Sequence, residues 1–467
     1  HPSSLAAVGT ACYDAAPRPM VAVGALVSLT RGGVDRGLAY RQLACSSLLA
    51  SHHILRGDES VVPGLASLTA NQSFELQVLD TGSAAFSAVA AFLHSDVSAL
   101  VGGGSSGVTS QLVALAKATD TALVGYRSTS TMLRRASNSH FARTVPSDAA
   151  ATAAMARLVR TFAWRHVAVI AEQSLWAESF VSSFLESARR ENVTVIASST
   201  FDAASPASRA LAVRELTDSG ASVVIGVMGD AAAVPLLRSA QDGGALGAGT
   251  AWLFADGVSP AALSEQAVAQ QPEGTAPLSE LLRGSLSLAA SAEGSESHGR
   301  FLRAWQAEGA QPTGACRNAL FDEPAAFAAP PLLPAVAAYL YDAVISLAVA
   351  LARAGPPHSG TAVLRELLAL RLDGASGLVE FDRLGDRAEH CSSFRLTNFQ
   401  QSGPASVGRL GSGGLHLSRP IEWRDGNLPP RDARLSAGGD VVRTTLLRHS
   451  LSVGRGGSEA GAEAEAE

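Results

Sequence analysis

The stretch Val97-Ser98-Ala99-Leu100-Val101-Gly102-Gly103-Gly104-Ser105-Ser106-Gly107 decides how this chain is read. Val97 to Gly102 is a short apolar run of strand character, and Val108 to Thr119 carries the apolar spacing of a helix. The glycines between them supply the freedom that a tight strand-to-helix turn needs, and Ser105 or Ser106 supplies an N-cap hydroxyl. A buried strand, a glycine turn and a helix make one step of a parallel sheet covered by helices.

The same step repeats on either side. Strands are predicted at Pro19 to Val27, Phe74 to Asp80 and Ala122 to Tyr126, with helices at Arg36 to Leu55 and Ala84 to Leu93. The turn residues Thr144 to Asp148 separate this unit from a second one. There, helices at Ala149 to Phe162, Ala177 to Glu191, Ala207 to Ser219 and Ala231 to Gly243 alternate with strands at His166 to Ile170, Val193 to Ala197, Ser222 to Val227 and Thr250 to Phe254. Two doubly wound α/β units suit 467 residues better than one core, since single cores stop growing at about 250–300 residues. Past residue 260 the pattern loosens. An irregular insert, Gly309 to Pro334, precedes helices at Val336 to Arg353 and Gly360 to Leu370 and a hairpin strand at Gly377 to Asp382. From Gly403 the composition turns to Gly, Ser, Pro and Arg, and the acidic end, Gly461 to Glu467, predicts disorder.

Charged residues are 17%, hydrophobic residues 47% and aromatics 5%, which is apolar enough to fold. Lys117 is the sole lysine among 36 basic residues. A net charge of −6 with no basic run excludes nucleic acid as the main partner, because phosphate binding needs concentrated positive charge. Leu332 to Ala352 is about long enough to span a bilayer. Asp342 at its middle and Pro334 near its start favour a buried helix of a soluble domain. Cys12, Cys45, Cys316 and Cys391 show no C-x-x-C spacing, so a zinc site or thioredoxin-like motif is unsupported. No metal site and no cofactor is expected. One or two disulfides, in any of three pairings, or free thiols all fit that count. Sequons stand at Asn71 and Asn192. The chain opens at His1 without a signal segment, as a mature product or a fragment would.

The glycine turn admits three chemical readings. Gly102-x-Gly104-x-x-Gly107 fits the dinucleotide fingerprint, with Arg127 placed for a 2′-phosphate, but it follows the third strand of its unit and not the first. Gly103-x-Ser105-x-Gly107 fits a hydrolase nucleophile elbow, but no His-Gly pair upstream supplies an oxyanion loop. The third reading is a carboxylate site, where free N–H groups at a helix start and two hydroxyls hold a small anion without any reaction. A plain tight turn capped by serine competes with it.

The run Val101 to Asp148 (VGGGSSGVTSQLVALAKATDTALVGYRSTSTMLRRASNSHFARTVPSD) closely resembles the ligand-binding module of class C G-protein-coupled receptors. Ala154 to Ile170 continues the pattern, as do Val78-Leu79-Asp80-Thr81, Ala338 to Val344 and Gly374 to Asp382. Ile421 to Pro430 resembles the module's closing segment, and the likeness covers roughly residues 18–432. The Tyr341-Asp342-Ala343 helix, the Gly374-Ala375-Ser376-Gly377 turn and the Trp423 to Pro430 ending lean toward the metabotropic GABA receptor branch.

This resemblance implies a bilobed Venus flytrap of the periplasmic-binding-protein type I class, with ligand in the interlobe cleft and closure as the signal. It implies an N-terminal extension at 1–17, one lobe from 18–147 plus 287–386, a second from 148–286 plus 387–432, and a linker and tail at 433–467. Ser106 matches the family's carboxylate-binding serine, and Ser128 and Thr129 match its second hydroxyl loop. Trp176 falls where glutamate receptors place a tyrosine over the ligand. Asp148 and Asp256 match acids that can face a ligand ammonium. Arg127 stands in a slot that is usually small, and a cleft-facing guanidinium there could pair with a carboxylate. No lysine lies near Val336, which weakens a glutamate ligand, and Gly229 replaces an aromatic of the GABA-binding subunit. The implied function is an extracellular receptor domain for an amino acid or small zwitterion at the plasma membrane. Dimers through the first lobe and a G protein, reached through a transmembrane part outside this chain, are the implied partners. A soluble amino-acid-binding protein or a receptor guanylate cyclase ectodomain is the alternative on the same fold. Neither reading makes the chain an enzyme.

Overall fold

The computed structural model describes residues 20–70, 73–134, 139–247, 249–258, 276–310, 314–316, 320, 327, 333–426 and 429–432. The expected N-terminal extension, the 433–467 tail and the sequon residue Asn71 lie outside the described residues, as does most of the insert after Gly309.

The first half follows the predicted alternation. In order come β1 (Met20–Val27), a small hairpin β2 (Thr30–Arg31) and β3 (Val34–Asp35), α1 (Leu38–Arg56), α2 (Leu65–Leu68), β4 (Ser73–Asp80), α3 (Ala85–Leu93), β5 (Ala99–Val101), α4 (Ser106–Ala118), β6 (Ala122–Gly125) and β7 (Phe141–Arg143). Five of these strands form one parallel sheet in the order β4-β1-β5-β6-β7. β1 lies inside it, and most of its residues are buried on both faces, which is why it reads as a continuous apolar run.

The chain then passes through Thr144 to Ser147 into α5 (Asp148–Thr161), β8 (His166–Glu172), α6 (Leu175–Arg190), β9 (Thr194–Phe201), α7 (Pro206–Asp218), β10 (Val223–Val227), α8 (Asp230–Asp242), β11 (Ala251–Phe254), α9 (Leu278–Leu282) and β12 (Leu286–Ala290). Three more elements return to the first sheet's core: α10 (Glu296–Ala310), α11 (Val336–Ala354) and α12 (Gly360–Leu368). After the hairpin β13 (Arg371–Gly374) and β14 (Gly377–Glu380), the chain crosses again to β15 (Phe394–Gln400), β16 (Gly403–Gly411) and β17 (Gly414–Leu417). The second sheet has the order β17-β16-β15-β12-β11-β10-β8-β9. It is parallel from β12 to β9 and antiparallel from β12 to β17.

Two details depart from expectation. The glycine-rich run from Gly403 forms two strands. And β12 pairs with β15 as far as Ala290, so the return to the first core follows Ala290 and does not begin at residue 287.

α11 is the apolar stretch tested against a bilayer. It lies buried in the first core, packed against α1. Its Asp342 is satisfied inside the protein: the carboxylate accepts from the backbone N–H of Ala375 at 2.6 Å and of Ser376 at 2.8 Å, and from the Ser376 hydroxyl. Burial still pushes its pKa up to about 6. A side chain on Gly374 would collide with that carboxylate, so the Tyr341-Asp342-Ala343 helix and the glycine turn form one packed unit. Of the cysteines, Cys45 and Cys316 form a disulfide and Cys391 is a free thiol. Trp423 of the closing segment packs edge-on against Trp164 and Phe162, and the Trp164 indole donates to the Pro430 carbonyl at 2.8 Å, which seats this segment on the second sheet's core.

Candidate functional site

The turn after β5 begins with three glycines at φ 140°, 109° and 65°. A Cβ at Gly103 would lie 1.7 Å from Thr109 Oγ1, and one at Gly102 would lie 2.6 Å from the Leu26 carbonyl oxygen. Close strand-to-helix packing therefore accounts for these glycines without a nucleotide. Ser105 is the N-cap, accepting from the Val108 N–H at 3.4 Å. Its hydroxyl works as a cap, which leaves the nucleophile-elbow reading without support.

Ser106 opens α4, and its hydroxyl accepts from the Ser130 N–H at 3.2 Å. The facing loop is held from behind. Arg143, fully buried, donates to the carbonyls of Ser128 at 2.8 Å and Ser130 at 2.9 Å, and pairs with Asp386 at 2.7 Å. Ser128 is fully buried and shares a 2.6 Å hydrogen bond with Thr109. It fastens the loop, and its hydroxyl is not presented to the cleft. Thr129 sits at the edge, where its carbonyl accepts from the Asp148 N–H at 2.8 Å.

Asp148 is the first residue of α5, after Ser147 as N-cap. Its carboxyl is buried, and Oδ2 has no hydrogen-bond partner among the described residues. Burial first, then the nearby Asp256 carboxylate, push its pKa up to about 7, while Thr129, Arg143 and Trp176 act in the opposite direction. Asp256 follows β11 and keeps partial access to solvent. Enclosure raises its pKa to about 6, and the exposed Arg127 lowers it. Trp176, near the start of α6, lies against Gly257 and packs tilted on Phe180, ring centroids 5.9 Å apart. Ser106, Thr129, Arg127, Asp148, Trp176 and Asp256 thus converge on the C-terminal ends of the two sheets' strands, where open α/β sheets bind ligands. Gly229 caps α8 and is tied to Glu172 by its N–H at 3.1 Å.

Sequence reasoning missed two groups. Ser130 donates to Ser179 of α6 at 2.8 Å, which bridges the two sides of the cleft. No periodic signal marks such a pair. Arg143 had a signal, an arginine ending the otherwise apolar strand β7. Asn192 is exposed, in a left-handed turn before β9.

Two α/β sheets joined by three crossings define a periplasmic-binding-like ligand-binding domain of type I. The chain belongs to the receptor family ligand binding region, whose family model matches residues 66–398. Domains of this family are typically extracellular.

Proposed function

We propose that this is the ligand-sensing ectodomain of a class C G-protein-coupled receptor of the metabotropic GABA receptor branch. It takes an amino acid or a related small zwitterion and has no catalytic activity. The observation that carries this reading is the enclosure of Asp148 beside Asp256, with Arg127 acting on Asp256 and Ser106 hydrogen-bonded to the neighbouring Ser130. A ligand ammonium between the two acids relieves their mutual repulsion and desolvation. A ligand carboxylate at Ser106 meets the N-terminal end of α4. Trp176 covers the ligand from the second sheet's side.

Two lobes, built around the two sheets, close on the ligand, and the signal passes through a transmembrane bundle to a G protein. The exposed Phe86 and Leu93 of α3 belong to the first lobe, where a partner receptor subunit would dock. Asn71 and Asn192 would carry glycans at the cell surface.

Calorimetry of amino acids and amines against the full chain tests the ligand class. GABA-like or α-amino-acid zwitterions should bind, and Ser106→Ala and Asp148→Asn should each weaken them at least about tenfold, as loss of a charge-assisted hydrogen bond does. Binding that ignores both substitutions would overturn the assignment.

A further inference from the structure

A second cluster lies away from the cleft, where the chain leaves the hairpin β13–β14 and crosses toward β15. Glu380 ends β14, and His390 and Cys391 stand in the short turn Glu389–Cys391. One ligand atom from each, a carboxylate oxygen, an imidazole nitrogen and the thiol sulfur, lies within 4.8 Å of the others. His390 Nε2 already meets Glu380 Oε2 at 2.7 Å, while Oε1 pairs with Arg371 at 2.7 Å. The second oxygen is therefore fixed by a cation, and the first is aimed at the imidazole.

The backbone is also fixed. Ala388 N–H donates to the Glu380 carbonyl at 2.9 Å, and Cys391 N–H donates to the Ala388 carbonyl at 3.0 Å. The buried Arg387 ties this turn to the hairpin by donating to the carbonyls of Cys391, Ser376 and Leu378.

We propose that Glu380, His390 and Cys391 form a binding site for a divalent transition metal of the zinc class. Thiolate, imidazole and carboxylate together are the donor set that zinc accepts, with a fourth tetrahedral position left for water. Zinc ligands sit about 2.0–2.3 Å from the metal, so the three atoms need close by only roughly 1 Å through side-chain rotation. Binding replaces the Glu380–His390 hydrogen bond with one bond each from carboxylate, imidazole and thiolate to the metal; the thiol proton goes to solvent, and the imidazole hydrogen that met Glu380 moves to the other ring nitrogen by exchange with solvent. The cysteine and histidine are adjacent and the glutamate is distant in sequence, so no C-x-x-C or H-x-x-H spacing marks the site. A bound ion would lock the crossover to the hairpin.

The test is titration of the full chain with zinc chloride against a chromophoric chelator, repeated with cobalt chloride. One ion per chain should bind. Cys391→Ser and His390→Gln should each weaken zinc at least about tenfold, since even indirect partners of a metal are worth that much. The cobalt complex should show thiolate charge-transfer absorption that Cys391→Ser abolishes. Circular dichroism melts of the metal-free variants should match the parent, because His390 is exposed and Cys391 only half-buried. Absence of zinc binding, or binding that survives both substitutions unchanged, would overturn the proposal.

Discussion

On the first-sheet side of the cleft, Ser106, Thr129 and Ser130 are held by backbone hydrogen bonds and by the fully buried Arg143 behind them. On the second-sheet side, Trp176 and Asp256 stand at a helix start and a strand end, both half-buried, and Trp176 hydrogen-bonds Asp148. One side is a prebuilt frame of neutral donors and acceptors. The other carries charge that burial makes expensive, and Asp148 at the junction shares that cost. A receptor needs both: a rigid anchor to set ligand orientation, and a side whose energy changes when a ligand arrives.

The comparison makes graded predictions. The frame should fail most severely when its buried cation is lost. Arg143→Met leaves Asp386 without its main partner and should cost about 3–5 kcal/mol in chemical unfolding. A loss below about 1 kcal/mol would show that Arg134 alone satisfies Asp386.

The charged side should show itself in pH dependence. The folded pKa of Asp148 is raised to about 7, so the folded state holds that proton more tightly than the unfolded chain does. Its contribution is nil below about pH 4, grows more unfavourable as pH rises from about 4 to about 7, and stays constant above that. Asp148→Asn should therefore be more stable than the parent at pH 8, on the order of a few kcal/mol, with the gap closing by pH 4. Parallel unfolding curves at the two pH values would break this account.

Gly103→Ala forces a side chain into Thr109 at positive φ, and should cost about 1–3 kcal/mol with no change in pH dependence. The bridge between the two sides is the weakest contributor. Ser179→Ala removes one neutral hydrogen-bonded hydroxyl, so a thermal melt should show a loss of about 0.5–1.5 kcal/mol.

How much of this was legible in the sequence differs from one region to the other. Four strands of the five-stranded parallel sheet were readable, because buried parallel strands are near-continuous apolar runs between amphipathic helices; β7, only three residues long and ending in Arg143, was not. β16 and β17 were not. Their Gly, Ser, Pro and Arg content suits an antiparallel edge that is wet on one side, and such strands carry little local signal. Within the candidate site, Ser106, Thr129, Trp176, Arg127, Asp148 and Asp256 were all named from the sequence by resemblance. Ser128 was named too, yet the structure spends its hydroxyl on Thr109. Nothing in the spacing of Ser130 and Ser179 announces their contact.

The sequence by itself determined the alternation of strands and helices, the glycine turn after β5 and its serine cap, because those depend on neighbours within one helical turn or one strand. The tertiary structure decided the rest. Asp342 is tolerable in an apolar helix only because the Gly374 turn, far along the chain, brings two N–H groups and a hydroxyl to it. Asp148 and Asp256 acquire raised pKa values only when they are enclosed together. Desolvation and charge repulsion are functions of distance in space, and separation along the chain does not encode them.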